Sequence, residues 1–535
     1  MNFIKPLFLS ATTAMILASC GSTKVISTPI TNIDNTPLKS SELTENELNT
    51  WSHLDLVKDT IPGMSVDKAY EFLKGKKGKT VIVGVIDSGI DIEHEDLKNV
   101  LWTNKKEVAN NGKDDDKNGF IDDIHGWNFL GDSDKENLEY ERIVKDKSLT
   151  DATTYAAAKA EYDGKLESAL KNKTRYEGML QRLNVADEAV SGKLGKKEYS
   201  IEDVKSITTE NESLKENIQV VSQMLSFGLP LPKLKEELTS GIENFTSTLN
   251  EEGLKTDYRA VVKDNPNDLS DVDYGNNTVW GPAKDGALHG THVAGIIAAE
   301  RNNGLGMNGI AHNVEIMTVR AVPDGDEYDK DIALAFRYAV DNGAKVINTS
   351  FGKSYSPHAK WVYDAIKYAA DNDVLIVNAA GNDRTDIDTK NIYPNDQVNN
   401  GSEISNNFLT VGALNYKYGE ELIARFSNYG KINVDVFAPG VKIYSTVPNN
   451  KYRHLQGTSM ASPNVAGVAA LIRSYYPKLK AAQVKQILMT SGLPITSKVM
   501  IAGDKNITKT LKEVTTSGKI VNAYNALIMA EMMSK

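Results

Sequence analysis

Three short strings constrain this 535-residue chain more than anything else in it: Asp87-Ser88-Gly89, HGTHVAG at 289–295 and GTSMASP at 457–463. Together they give an Asp, a His and a Ser in that chain order. A serine hydroxyl is a poor nucleophile at neutral pH. It needs a base to take its proton and a carboxylate to fix that base's tautomer. Such partners can lie far apart in sequence, so chain order and local setting identify them. The candidates are Asp87, His289 and Ser459.

The stretches around these strings predict the fold. Residues 80–86 (TVIVGVI) form a continuous apolar, β-branched run, the signature of a strand buried on both faces of a parallel sheet. Similar runs recur at 314–319, 346–350 and 374–378, with helical patterns at 331–342 and 356–372 between them. This alternation predicts an α/β fold with a mostly parallel central sheet and with catalytic groups at the carboxyl ends of its strands. Asp87 and Asn382 fall just past two of the runs.

Further strings sit beside the triad: VLIVNAAGND at 374–383, FSNYG at 426–430 and VDVFAPGVKIYST at 434–446. Taken in order, they resemble the subtilases, the subtilisin-like serine endopeptidases, from about Lys79 to about Leu527 with one large interruption. The resemblance implies a three-layer subtilisin-like fold. It makes His289, the first His of HGTH, the general base on a helix that starts there. It pairs the Ser459 N–H with the Asn382 side-chain amide as oxyanion donors. It implies polypeptide substrates that bind in extended form along Ser350-Phe351-Gly352 and Ala379-Ala380-Gly381. Lys353 stands where many relatives have a second glycine, and Ile392 where broad-specificity relatives have a glycine at the base of the primary pocket. Ser459 is expected at a turn into a helix, with Pro463 in the first turn, where a missing N–H costs little. Zinc is not indicated for His289 and His292, because zinc peptidases place two His four apart with Glu between them. Two rivals are weighed against this reading. A catalytically idle scaffold with the same fold is disfavoured by the presence of all three triad residues and Asn382. An esterase is disfavoured because the chain lacks a G-x-S-x-G elbow and the order Ser, Asp, His.

Between about 131 and 264 the pattern turns helical. Apolar residues recur at helical spacing from Tyr155 to Leu183, from Ile201 to Leu225 after a Ser200/Asp203 capping pair, and from Leu234 to Leu249. This predicts three amphipathic helices folded back on one another, inserted between 79–130 and 265–535 of the peptidase domain. The insertion reads as a lid, a gating arm, a docking element for an unknown partner or a plain surface bundle.

The string NGKDDDKNGFIDD at 111–123 reads as a calcium loop. Asp114, Asp116 and Asn118 alternate as the first ligands of an EF-hand-type loop do, Gly119 permits the sharp turn and the Phe120 carbonyl is a further ligand. His125 stands at the twelfth position in place of Glu, so Asp122 or Asp123 is expected to complete the set. The family resemblance implies a second, weaker site at Asp96 with Asn303.

The single cysteine, Cys20, excludes an intramolecular disulfide. Residues 1–19 have the layout of a secretory signal, and Leu17-Ala18-Ser19-Cys20-Gly21 resembles the lipobox of bacterial lipoproteins. That resemblance implies cleavage before Cys20, its lipidation and attachment to the bacterial cell envelope, at the outer membrane and facing either the periplasm or the surface. Residues 21–45 read as a flexible tether and 46–78 as a lead-in packed on the catalytic domain, too short for a folded inhibitory prodomain of the usual size. A formal net charge of −10 argues against a nucleic-acid partner.

Overall fold

The computed structural model describes residues 28–31, 33 and 36–535. Cys20 and the expected signal sequence lie outside the described residues. The strands, in chain order, are β1 (Val81–Asp87), β2 (Gly126–Asn128), β3 (Val314–Arg320), β4 (Val346–Thr349), β5 (Leu375–Ala379), β6 (Phe408–Leu414), β7 (Val436–Pro439), β8 (Ile443–Val447), β9 (Lys451–Leu455), β10 (Leu493–Pro494), β11 (Val499–Ile501), β12 (Asp504–Lys509) and β13 (Lys519–Ile520). Nine of them form one sheet in the order β10-β13-β7-β6-β5-β4-β1-β3-β2. Every pairing in it is parallel except β10 with β13.

Successive residues of a strand point to opposite faces, so the apolar runs serve two cores at once. Val83, Val85, Leu375 and Val377 join the core beneath the helices Leu288–Ala298, Thr458–Tyr475, Ala481–Ser491 and Ala523–Met533. Ile86, Met317, Val319, Ile347 and Ile376 face the helices Asp329–Asp341 and Ala359–Asp371. The mixed α/β fold with a mostly parallel sheet is as the sequence predicts. The carboxyl ends of β1, β4 and β5 deliver Asp87, Ser350 and the segment 380–382 to one edge of the molecule.

The helix Ala152–Leu194 forms an arm of 43 residues, about 64 Å at 1.5 Å per residue. Asp151 caps its first turn and Gly195, at φ 65°, ends it. The helices Glu212–Leu225 and Leu231–Leu249 pack on it around Leu183, Ala186, Val190, Val221, Leu234 and Leu238. The Ser200/Asp203 capping box is present, but the helix it starts ends at Lys205. The expected single helix from Ile201 to Leu225 is therefore two, because Asn211 accepts the Leu214 N–H and starts the next one afresh.

The described residues of the expected tether dock on the fold. Ile33 is 2% exposed, and Asn525 bonds both the N–H and the carbonyl of Ile30 at 2.8 Å. The lead-in packs more deeply still. Trp51, Leu56, Ile61, Met64 and Val66 are buried, the Trp51 indole donates to Val441 O, and Met64 O accepts the Ala523 N–H. Among the described residues, no helix is long and apolar enough to cross a membrane.

Candidate active site

Asp87 ends β1 and is 1% exposed. Its Oδ1 accepts the Ser88 N–H and lies 2.7 Å from His289 Nδ1. A carboxylate only accepts, so the proton of this bond sits on Nδ1 and Nε2 is left as the basic nitrogen. The helix Leu288–Ala298 reaches this close because residue 290 is glycine. A Cβ there would stand 2.2 Å from Gly89 O and 3.1 Å from Asp87 Cβ. Burial of the His289 ring disfavours its charged form, but the charge of Asp87 and its hydrogen bond outweigh this and raise the His289 pKa above the ordinary value.

His292 has another role. Its Nε2 faces the carbonyls of Ile443 and Arg453 at 3.1 and 3.0 Å, which fastens the β8–β9 hairpin to the helix. Burial holds its pKa down at about 3, so it stays neutral.

Ser459 is the second residue of the helix Thr458–Tyr475 and is half-buried. Its hydroxyl donates to Ser350 O at 3.1 Å, and the Ser350 hydroxyl donates back to Ser459 O at 2.9 Å. Pro463 lies one turn further in than expected, as the sixth residue of the helix. It lacks the N–H that would bond Ser459 O, and the Ser350 hydroxyl takes that place. Asn348 Nδ2 donates to Ser350 Oγ, and Ser462 Oγ donates to Asn348 Oδ1, so a buried polar chain runs beneath the serine.

Asn382 lies three residues beyond β5. Its Oδ1 accepts from Thr458 N at 2.9 Å and from Thr458 Oγ1 at 3.1 Å, which fixes the amide with Nδ2 as the free end. A Cβ on Gly457 would lie 3.5 Å from Ser459 N and 3.6 Å from Asn382 Nδ2. The missing side chain thus keeps open the space on which these two donors converge, beside Ser459 Cβ at 3.7 Å.

The segments Ser350-Phe351-Gly352 and Ala379-Ala380-Gly381 lie at the carboxyl ends of adjacent parallel strands, β4 and β5. Lys353 and Tyr393 exchange two backbone hydrogen bonds of 2.9 Å. Ile392 then comes up against the first segment: a Cβ on Gly352 would meet Ile392 Cγ2 at 3.2 Å. The cavity that Ile392 lines with Ala379, Ala380 and Asp396 holds only about 20 Å³. Lys353 is not open to the cleft; it is buried on carboxylates.

In the acidic loop, Asp114 accepts the N–H groups of Asn118 and Gly119, and Gly119 has φ 95°. Asn118 Oδ1 accepts from Phe120 N, and the Phe120 ring packs at 4.8 Å on Tyr338. Carboxylate oxygens of Asp114 and Asp116 lie within 4.8 Å of one another and of Glu107, an upstream residue that the string did not flag. Glu107 is 9% exposed, and its Oε2 is buried without a partner. Asp122 and Asp123 do not complete this group. Asp122 accepts the N–H groups of Asn111 and Gly112. Asp123 accepts from Tyr338, Asn104 and Asn118, and burial raises its pKa to about 6. At the second place, Asn303 Nδ2 donates to Asp96 Oδ1 at 2.7 Å.

The profile of the subtilase family matches residues 78–516. A thermophilic serine proteinase of Bacillus sp. (strain AK1) is 44% identical over 193 residues, which are 35% of this chain and 42% of that one. Subtilisin DY of Bacillus licheniformis is 38% identical over 209 residues, 39% of this chain and 71% of that one. The solved structure of proteases from Pseudoalteromonas arctica shows a TM-score of 0.46 at 21% identity, covering 90% of this chain and 97% of that one. The match therefore spans less than half the length of the first of these relatives. With its profile matched over most of the chain, this protein belongs to the subtilase family.

Proposed function

We propose that the chain is a serine endopeptidase. The observation that carries this reading is the convergence of the Ser459 N–H and Asn382 Nδ2 over Gly457, next to a serine whose chain also holds an Asp87–His289 pair at 2.7 Å.

In this mechanism Asp87 holds His289 in the tautomer with Nε2 free. The Ser459 hydroxyl leaves Ser350 O and passes its proton to Nε2 as its oxygen attacks the scissile carbonyl. The negative charge that develops on the carbonyl oxygen is met by Ser459 N–H and Asn382 Nδ2. His289 returns the proton to the leaving amine, and a water molecule repeats the sequence on the acyl-enzyme. Substrate lies extended between 350–352 and 379–381, donating and accepting main-chain hydrogen bonds as an added strand. Ile392 narrows the space between these segments and favours small side chains.

Calcium is the proposed structural cation. Hard oxygen donors from Asp114, Asp116 and Glu107 fit it, and the unpartnered Glu107 Oε2 is the donor that a cation satisfies. Bound calcium supplies positive charge that holds the acidic loop closed. Asp96 and Asn303 form the second, weaker candidate site. Anchorage to the cell envelope through lipidated Cys20 rests on the lipobox-like string alone.

The reading is tested with Ser459→Ala and with casein and peptide substrates. Hydrolysis by the parent chain and none by the variant, at equal melting temperature, supports it. Hydrolysis that survives the substitution removes it.

A further inference from the structure

Lys353 directly follows the segment Ser350-Phe351-Gly352. Its backbone ties that edge to Tyr393, next to Ile392. Its side chain is 2% exposed and ends on Glu139 Oε2 at 2.6 Å, Asp329 Oδ1 at 2.9 Å and the Glu327 carbonyl at 2.7 Å. Glu139 opens the helix Glu139–Lys145 at the root of the insertion. It is held in turn by Arg142 at 2.5 Å, and its N–H donates to Asp326 at 2.7 Å. Arg142 also donates to the carbonyls of Asp326 and Glu327. One cation from the cleft edge and one from the insertion thus share the same buried carboxylate.

A buried ammonium is tolerated only with its counter-charges in place. Glu139 of the insertion is one of the two carboxylate partners of Lys353, with Asp329 the other, so losing Glu139 loosens the hold on the edge. Two residues on, Tyr355 makes a second link. Its hydroxyl donates to Glu161 of the long helix at 2.9 Å, and its ring packs on Tyr140, Ile143 and Tyr162 at the foot of the arm. Neither Lys353 nor Tyr355 has a hydrogen bond or ion pair to Asp87, His289 or Ser459, so the chemistry itself does not call for these links.

We propose that Lys353 is a positioning residue through which the root of the helical insertion holds the substrate edge, so that the insertion governs binding of residues on the acyl side of the scissile bond. This rests on the peptidase reading of the 350–352 edge. Peptides that run along the edge feel the link, and ligands that react only with Ser459 do not.

The test uses the full chain with p-nitroanilide peptides of increasing length on the acyl side, a small fluorophosphonate probe and thermal unfolding. Lys353→Met and Glu139→Gln are each expected to raise KM for the longest peptide about tenfold, with kcat and the probe-labelling rate nearly unchanged. Lys353→Arg, which keeps the charge, is expected to recover most of the loss. KM values that stay at the parent level for all lengths overturn the proposal. So does a loss shared equally by labelling, kcat and every length, because that marks a purely structural role. If Lys353→Met does not fold, Glu139→Gln and Lys353→Arg decide alone. A parent chain that neither labels nor hydrolyses peptides removes the peptidase reading itself, and this proposal with it.

Discussion

Glu107→Gln is expected to stabilise the chain in chelator and to lose that advantage in calcium. Carboxylate oxygens of Glu107, Asp114 and Asp116 lie within 4.8 Å of one another. At that separation two like charges repel by about 1 kcal/mol in water and about 3 kcal/mol at the effective dielectric of a protein surface. The substitution removes one charge of three, and with it two of the three repelling pairs. The neutral amide keeps an oxygen for the Asp115 and Asp116 N–H groups, which Glu107 Oε1 now accepts at 2.9 and 3.1 Å, so the turn survives. With excess chelator the variant, relieved of two such pairs, is therefore expected to be more stable than the parent by about 2–6 kcal/mol. Calcium offsets that advantage. A cation at a hundred times its dissociation constant stabilises the parent by about 2.7 kcal/mol, and a site that has lost a charged ligand forfeits much of this. The assay is thermal unfolding of both chains in millimolar calcium and in chelator, with limited proteolysis across residues 110–135 as a local readout. A parent melting temperature indifferent to chelator, or a variant shifted equally in both conditions, refutes the reasoning and leaves the string an acidic turn.

Other outcomes follow from the same geometry. Asn382→Ala is expected to lower kcat by about 100- to 1000-fold with KM little changed, since its amide acts only on charge formed in the transition state; a loss below tenfold refutes the donor role. His289 must be neutral to accept a proton, and Asp87 raises its pKa above the 6.5 of an ordinary histidine. The acid limb of kcat/KM should accordingly lie above that value, with activity lost as pH falls through it; a limb at or below it contradicts the pairing. Ile392→Gly should open the 20 Å³ cavity and shift cleavage from small toward large side chains before the scissile bond, read by peptide-library profiling; an unchanged profile sinks the assignment.

The central sheet was legible because its strands are buried on both faces and therefore read as unbroken apolar runs. Asp87, His289, Ser459 and Asn382 stand out in the sequence through the strings around them, and the fold sets Asp87 beside His289 and Asn382 beside Thr458. What escaped depends on contacts between distant segments. Glu107 joins Asp114 and Asp116 only through the folding of the loop, and no spacing rule points to it. The exchange between Ser350 and Ser459 follows from Pro463, whose missing N–H matters only once its place in the helix is known. Lys353 reads as an odd residue at a glycine position until Glu139, more than two hundred positions earlier, is seen beside it. The ordering of Ile30 and Ile33 was missed for the same reason: polar composition suggested a tether, while two apolar side chains and the Asn525 clamp suffice to dock it.

The central claim is that Ser459 is the nucleophile of an Asp87–His289–Ser459 triad. Its most direct test is to react the full chain with a fluorophosphonate and locate the adduct by peptide mass spectrometry. The account predicts a single adduct on the peptide that contains Gly457-Thr458-Ser459, absent in Ser459→Ala and strongly slowed in His289→Ala. An adduct on another serine, or none under conditions where peptides are cleaved, contradicts it.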